Sequence, residues 1–302
     1  MRTMLLPLLP LLHLSCNNEP ASTPQSPIDL STGTHVVLLG TGTPNADPDR
    51  SGPAVAIVVD GAVYLVDAGP GVVRRASAAR LDVKRLNRVF LTHLHSDHTT
   101  GLPDLWLSPW VLDRPTPLAV YGPPGTGELV HHLAQAYRSD IERRLSGFQP
   151  SDTTGWRISA TEVGPGEVYR DDRVTVTALL VDHQDWPVAY GYRFQTADRV
   201  IVVSGDTRPT ETIVEACNGC DVLVHEVYSD AAFARRSPEW QRYHGGAHTG
   251  AADLGRLVAR ANPGVLVLYH QLLWGTSDSA LVAEIAPHWD GRVVSGRDLQ
   301  VF

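Results

Sequence analysis

His93-Leu94-His95-Ser96-Asp97-His98 places three imidazoles and one carboxylate within six positions. Arg88-Val89-Phe90-Leu91-Thr92, just before it, reads as a short buried strand, and Thr99-Thr100-Gly101-Leu102-Pro103, just after it, as the start of a helix. A loop at the end of a strand is where an α/β protein can point several polar groups into one crevice. Alternate residues of an extended loop project to the same side, so His93 and His95 can converge on one ion. Asp97 and His98 follow where the chain turns and can face a second. Neutral imidazole and carboxylate suit zinc, and also iron or manganese.

Outward from that cluster, polar residues close one apolar run after another. Asp67 follows Ala62 to Val66, His183 follows Val174 to Val181, and Asp206 follows Val200 to Ser204. His225 and Glu226 follow Val222 to Val224, and His270 follows Val265 to Tyr269. A single strand-end histidine is more often a hydrogen-bonded edge residue than a ligand. Several of them, in a chain that already carries the cluster, point to one shared site. Asp60-Gly61 between Ala54–Val59 and Ala62–Val66 predicts a two-residue hairpin. Residues 126–145 carry one long helical pattern. Hairpin strands give way to strands alternating with helices, twice over. The fold class is therefore α/β, an αββα sandwich of two mixed β-sheets with helices on the outer faces. There is no solenoid-type repeat of roughly 20 to 50 residues.

These residues resemble the metallo-β-lactamase superfamily, whose signature is His-x-His-x-Asp-His, and within it the branch of ribonuclease Z and the related arylsulfatases and phosphodiesterases. The resemblance spans about residues 36–302. Besides the cluster it rests on Leu39-Gly40-Thr41-Gly42, Asp67-Ala68-Gly69, Gly191-Tyr192-Arg193-Phe194, Ser204-Gly205-Asp206-Thr207, His225-Glu226, His248-Thr249 and His270. It implies two zinc ions, with manganese or iron as alternatives. One ion would take His93, His95 and His183, the other Asp97, His98 and His270, and Asp206 would bridge them. Such a bridge holds ions about 3.5–4 Å apart, and a shared water, acidified to hydroxide, would attack the ester centre. Asp67 would lie behind the ligands and fix a histidine tautomer, with His225 also in that outer layer. His248, oriented by Glu226, would donate a proton to the leaving oxygen, and Asp97 would share in the chemistry as well as in the ligand set. His244 is a nearby competitor whose spacing fits less well.

The bulk numbers constrain the substrate. The chain has 302 residues, is 43% hydrophobic and carries a net charge of −8. No cluster of Lys and Arg forms a basic stripe, and residues 122–155 contain no Gly-rich basic arm, so no nucleic-acid partner is expected. Metal ions can still supply local positive charge for a small anion. The expected reaction is hydrolysis of a small phosphodiester or sulfate ester, and a lactonase or other acyl hydrolase on the same scaffold is the alternative. Trp106, Trp110, Trp186 and Trp274 lie near the expected site loops, where they could stack on an aryl or sugar group or belong to the core. A homodimer is the oligomer that relatives suggest.

Residues 1–16 read as an export signal. Arg2 is the only charge, Leu5 to Leu14 form an apolar run, and Leu14-Ser15-Cys16 resembles a lipoprotein cleavage box, although His13 sits where Leu is usual. The apolar run is too short for a mature span, which needs ~20 residues. The expectation is an exported protein of the bacterial periplasm or cell envelope, touching the membrane only through a lipid at Cys16. Residues 17–34 read as a flexible linker and 35–302 as the hydrolase domain. Cys217 and Cys220 read as two small semi-buried residues in a turn; a disulfide there is open to an exported protein.

Overall fold

A computed structural model describes residues 28–149 and 152–302. The first sheet runs in the order β1 (Thr34–Gly40), β2 (Ala54–Val59), β3 (Ala62–Val66), β4 (Arg88–Phe90), β5 (Leu118–Gly122) and β6 (Ile158–Glu162). β1 to β3 pair antiparallel and β3 to β6 parallel. Asp60 and Gly61 both have positive φ, as the hairpin turn between twisted strands requires. The second sheet comprises β7 (Gly166–Arg170), β8 (Thr175–Val181), β9 (Ala189–Gln195) and β10 (Val200–Val203) as an antiparallel meander. It continues in parallel through β11 (Val222–Tyr228), β12 (Val265–Leu272) and β13 (Val293–Ser295).

Ten α-helices complete the described residues. Along the first half come α1 (Val72–Ala78), α2 (Ser96–Thr99), α3 (Leu102–Val111), α4 (Thr126–Ala136) and α5 (Arg138–Ser146). The single long helix expected over 126–145 is therefore two, broken at Tyr137. The second half contributes α6 (Glu211–Cys217), α7 (Asp230–Phe233), α8 (Pro238–Ala247), α9 (Ala251–Ala261) and α10 (Asp278–Ile285).

Three apolar layers follow from period-two alternation. In β1 and β2, Val36, Leu38, Val55, Ile57 and Val59 face the other sheet and meet Val176, Tyr192, Phe194 and Val203 across the interface. Their neighbours Val37, Leu39, Ala54, Ala56 and Val58 face outward, with Val72, Leu105 and Trp106 of the covering helices. Val202, Leu223, Leu266 and Leu268 form the third layer with Ile213, Leu254, Leu257 and Leu281. Strands buried on both faces read as unbroken apolar runs, which is why they were legible. This is the expected αββα sandwich. Residues 28–34, read as the end of a tether, are engaged with it, since Leu30 packs on the first layer and Thr34 is buried in β1. Cys217 and Cys220 are buried and bonded to each other, closing the turn between α6 and β11.

Candidate metal centre

The strand-end residues meet at one edge of the sandwich, where β3, β4, β8, β10, β11 and β12 all finish. His93, His95, His183 and Asp206 each offer one ligand atom, all within 4.8 Å of one another. Asp97, His98 and His270 form a second such group, and His248 lies in the same reach of Asp206 and His270. Asp206 Oδ2 is the common neighbour: it lies 4.0 Å from His93 Nε2, 3.5 Å from His98 Nε2 and 3.4 Å from His270 Nε2. Its backbone is placed by Gly205, whose φ is +62° and where a Cβ would stand 2.4 Å from the Tyr190 carbonyl oxygen.

Two devices aim these side chains. His270 is an extra residue in the β11–β12 ladder: Glu226 pairs with Tyr269 and Val227 with Gln271, and His270, at φ +43°, is skipped. A bulge re-aims one side chain without disturbing the strand's other contacts, and here it sends the imidazole into the site. Asp67 also has positive φ, +61°, and is buried; it accepts from Thr92 N at 2.8 Å and meets His98 Nδ1 at 2.7 Å. With Nδ1 engaged by Asp67, His98 presents Nε2 to Asp97 and Asp206. His183 is fixed in the same way, Nδ1 donating to the Ala247 carbonyl at 2.8 Å. His95 is turned the other way, Nδ1 lying 2.8 Å from His93 Nε2 while Nε2 meets the Trp186 indole N–H at 2.7 Å.

The donor set fits divalent cations. His98 Nε2 and Asp206 Oδ1 are buried with no hydrogen-bond partner, a costly state unless something binds them. Burial works against the Asp206 carboxylate, but His270 and His98 outweigh it and hold its pKa well below the usual range. Burial, reinforced by His98, pushes His93 well down, so its imidazole is the neutral, ligating form. The mixture of imidazole and carboxylate is typical of zinc and also accommodates manganese or iron.

Glu226 and His248 stand beside this cluster. Glu226 is fully buried, accepts from Thr249 N at 2.9 Å and Thr207 N at 3.3 Å, and has Oε2 3.4 Å from His248 Nδ1. Burial, with Asp206 next, raises the Glu226 pKa well above the usual carboxyl value, and burial brings His248 down to about 4. His248 caps the end of α8, just before α9.

Some expected placements do not hold. Trp106 and Trp110 are core residues under α3, and their indoles donate to the Trp156 and Asp152 carbonyls, so neither lines the site. They lie on the buried face of α3 and pack in the outer layer of the first sheet. The His225 side chain hydrogen-bonds the Glu226 carbonyl at 2.7 Å, and strand alternation sends it to the face opposite Glu226; it supports no ligand directly. Trp274 does line the site, in a pocket of about 590 Å³ with Asn45, Asp97, Asp206, His248 and His270. Arg236, Trp240, Tyr243 and His244 share that pocket, and of these only His244 was singled out from the sequence. Ser237-Pro238-Glu239, a helix-start pattern, is the signal that could have placed α8 there.

Residues 63–271 match the beta-lactamase superfamily domain. The chain is 32% identical over 269 residues to ribonuclease Z of Mycobacterium bovis (strain BCG / Pasteur 1173P2), covering 87% of this chain and 96% of that one. Among solved structures, the metallo-β-lactamase fold protein YhfI of Bacillus subtilis superposes with a TM-score of 0.70 at 17% identity, covering 89% of this chain and 98% of that one. Human tRNase Z, short form, superposes with a TM-score of 0.68 at 20% identity, again covering 89% and 98%.

These relatives correct two expectations. The exclusion of nucleic acid is overturned, because the aligned relatives are named for cutting RNA. The acidic overall charge was a poor guide here, since ions held in a site set the local potential that a phosphate meets. The expectation of export with a lipid at Cys16 is also overturned by the aligned relatives, which are named ribonuclease Z. A brief apolar run and one cysteine are weak grounds for export, and they fall within residues 1–27, outside the described residues. Among the described residues, no helix is long and apolar enough to cross a membrane. By the domain match, the aligned relatives and the fold, the chain belongs to the metallo-β-lactamase superfamily and to its ribonuclease Z-like branch.

Proposed function

We propose that the protein is a dinuclear metal-dependent phosphodiesterase acting on a nucleotide-bearing phosphodiester. The observation that carries this reading is the sharing of Asp206 Oδ2 between the two ligand groups. His93, His95 and His183 would hold one ion, Asp97, His98 and His270 the other, with Asp206 between them. Bound there, two divalent ions supply Lewis acidity and lower the pKa of water. The residues around them do the rest. Asp67 holds the His98 tautomer, the Ala247 carbonyl holds that of His183, and Glu226 orients His248. His248, at the pocket wall and neutral through burial, gives its ring proton to the departing oxygen and is resupplied by the buried Glu226 carboxyl, whose raised pKa keeps it protonated; the 3.4 Å between them is of the length expected before substrate tightens the contact. The relatives named ribonuclease Z support a phosphodiester as the bond cut, and RNA as one form of the substrate.

The test is metal counting by mass spectrometry, followed by rates on bis-p-nitrophenyl phosphate, a short RNA with a 3′ extension, p-nitrophenyl sulfate and a simple lactone. Zinc or manganese at two per chain, with turnover of a diester above the sulfate and the lactone, is the expected result. Fully metal-loaded protein that leaves both diesters intact would overturn the reading.

A further inference from the structure

The pocket that contains the metal cluster has one wall the proposed chemistry does not use. It is built by the turn from α7 into α8 and by the chain after β12. Arg236 lies in that turn, with its guanidinium carbon 5.3 Å from the Trp240 ring centroid and 5.1 Å from that of Trp274. A guanidinium lying against two indoles is held in place by them, while N–H groups turned away from the rings can take other partners. No carboxylate claims that edge: among the described residues Arg236 makes no ion pair, and its buried Nε has no hydrogen-bond partner. It is also the only arginine or lysine among the residues lining the pocket. An arginine with no ion pair among the described residues, lining the same pocket as the metal cluster, is set to receive an anion.

The second half of the wall is aromatic and open. Trp240 is 49% exposed and Tyr243 37%, which for side chains of this size in a pocket lining leaves aromatic surface available to a ligand. The inner edge is fixed. Trp240 stacks on His244 at 5.3 Å and 18°, and His244 packs on Trp274 at 4.6 Å. The turn itself is anchored away from the pocket: Ser229 Oγ and Asp230 N both donate to the Glu284 carboxylate, and Gln241 Nε2 ties back to the Phe233, Ala234 and Arg236 carbonyls.

We propose that Arg236, Trp240 and Trp274 form the substrate-reading wall of this pocket. Arg236 takes a phosphate oxygen, and the exposed part of the Trp240 indole packs against the attached base, so the ligand is a nucleotide, free or at the end of an RNA chain. This rests on the phosphodiesterase reading for its biological use, but its test does not.

The experiment is isothermal titration calorimetry of the metal-loaded full chain with AMP, inorganic phosphate, adenosine and a short RNA oligonucleotide. AMP should bind, and Arg236→Ala and Trp240→Ala should each weaken it by about 10-fold or more, the scale of a charge-assisted hydrogen bond or of one stacked base. Trp240→Phe should restore most of the AMP affinity. Inorganic phosphate should lose affinity in Arg236→Ala and keep it in Trp240→Ala, and adenosine the reverse. An oligonucleotide that outcompetes AMP supports the wall as a reader of chain ends; one that matches AMP supports it as a reader of single nucleotides. Absence of AMP binding up to millimolar concentration, or AMP affinity within about 2-fold of the parent in both alanine variants, overturns the proposal. If the metal-loaded parent binds AMP but hydrolyses no diester, the phosphodiesterase reading fails and the wall stands.

Discussion

Asp67 touches no position where an ion would sit, yet it decides which nitrogen of His98 faces one. Its carboxylate meets His98 Nδ1 at 2.7 Å and is itself held by Thr92 N and Oγ1. Removing an outer partner of this kind typically costs about 10- to 100-fold in metal affinity. Asp67→Ala should therefore show that loss in a competition titration against a zinc chelator, with turnover recovering as zinc is raised. His248 should behave in the opposite way. If it is a proton donor, His248→Ala lowers turnover of a diester by about 10²–10⁴-fold while metal content is kept. The deficit should shrink for a diester whose leaving group, such as p-nitrophenolate, hardly needs a proton. A variant that lost an ion instead would move His248 into the ligand set, where its distance from Asp206 and His270 also permits it to lie.

At the level of elements, the metal-bearing loop is positioned by backbone packed against backbone. A Cβ at Gly69 would stand 2.3 Å from the Gly52 carbonyl carbon and 2.7 Å from the carbonyl oxygen of Asp97. The loop after β3 thus presses directly on the chain between His95 and His98. Gly69→Ala should lower stability by about 1–3 kcal/mol, as overpacking does. It should also weaken metal binding, because the Asp97 backbone must shift. Thermal melts of the variant with and without zinc would separate the two effects: an equal loss in both would mean that the packing matters for stability alone. This dependence of the site on elements explains what was legible. Asp67, His183, Asp206 and His270 could be found because each closes an apolar strand. Trp106 and Trp110 stayed open between pocket and core because proximity in sequence to the His cluster says nothing about which face of α3 they occupy. Arg236 and Trp240 were missed because they precede no strand and sit in a turn and a helix with no apolar run to mark them. β6 and β7 were passed over because they are partly exposed edge strands, whose mixed patterns carry little periodicity.

On the scale of the whole molecule, the site joins the two sheets. Asp67 and the His93–His98 loop come from the first sheet, and His183, Asp206 and His270 from the second, so any ion bound between them ties the halves of the sandwich together. Without cations, four carboxyl groups, of Asp67, Asp97, Asp206 and Glu226, are gathered with six imidazoles in a space largely closed to water. Buried polar groups left unpaired there cost stability that bound ions would recover. Because ions bind the folded chain and not the separated halves, their contribution grows with the logarithm of their concentration over the dissociation constant. Each site held at 100 times its dissociation constant adds about 2.7 kcal/mol. For a domain of this size that is a shift of roughly 2–4 °C in Tm per kcal/mol. Removing metal by dialysis against a chelator should therefore lower Tm by several degrees, and two equivalents of zinc should restore it. In Asp206→Ala, which removes the residue common to both groups, the restoring effect should be largely lost. A Tm insensitive to chelator in the parent protein, measured alongside a metal count of two before treatment, would show that the ions do not brace the two sheets.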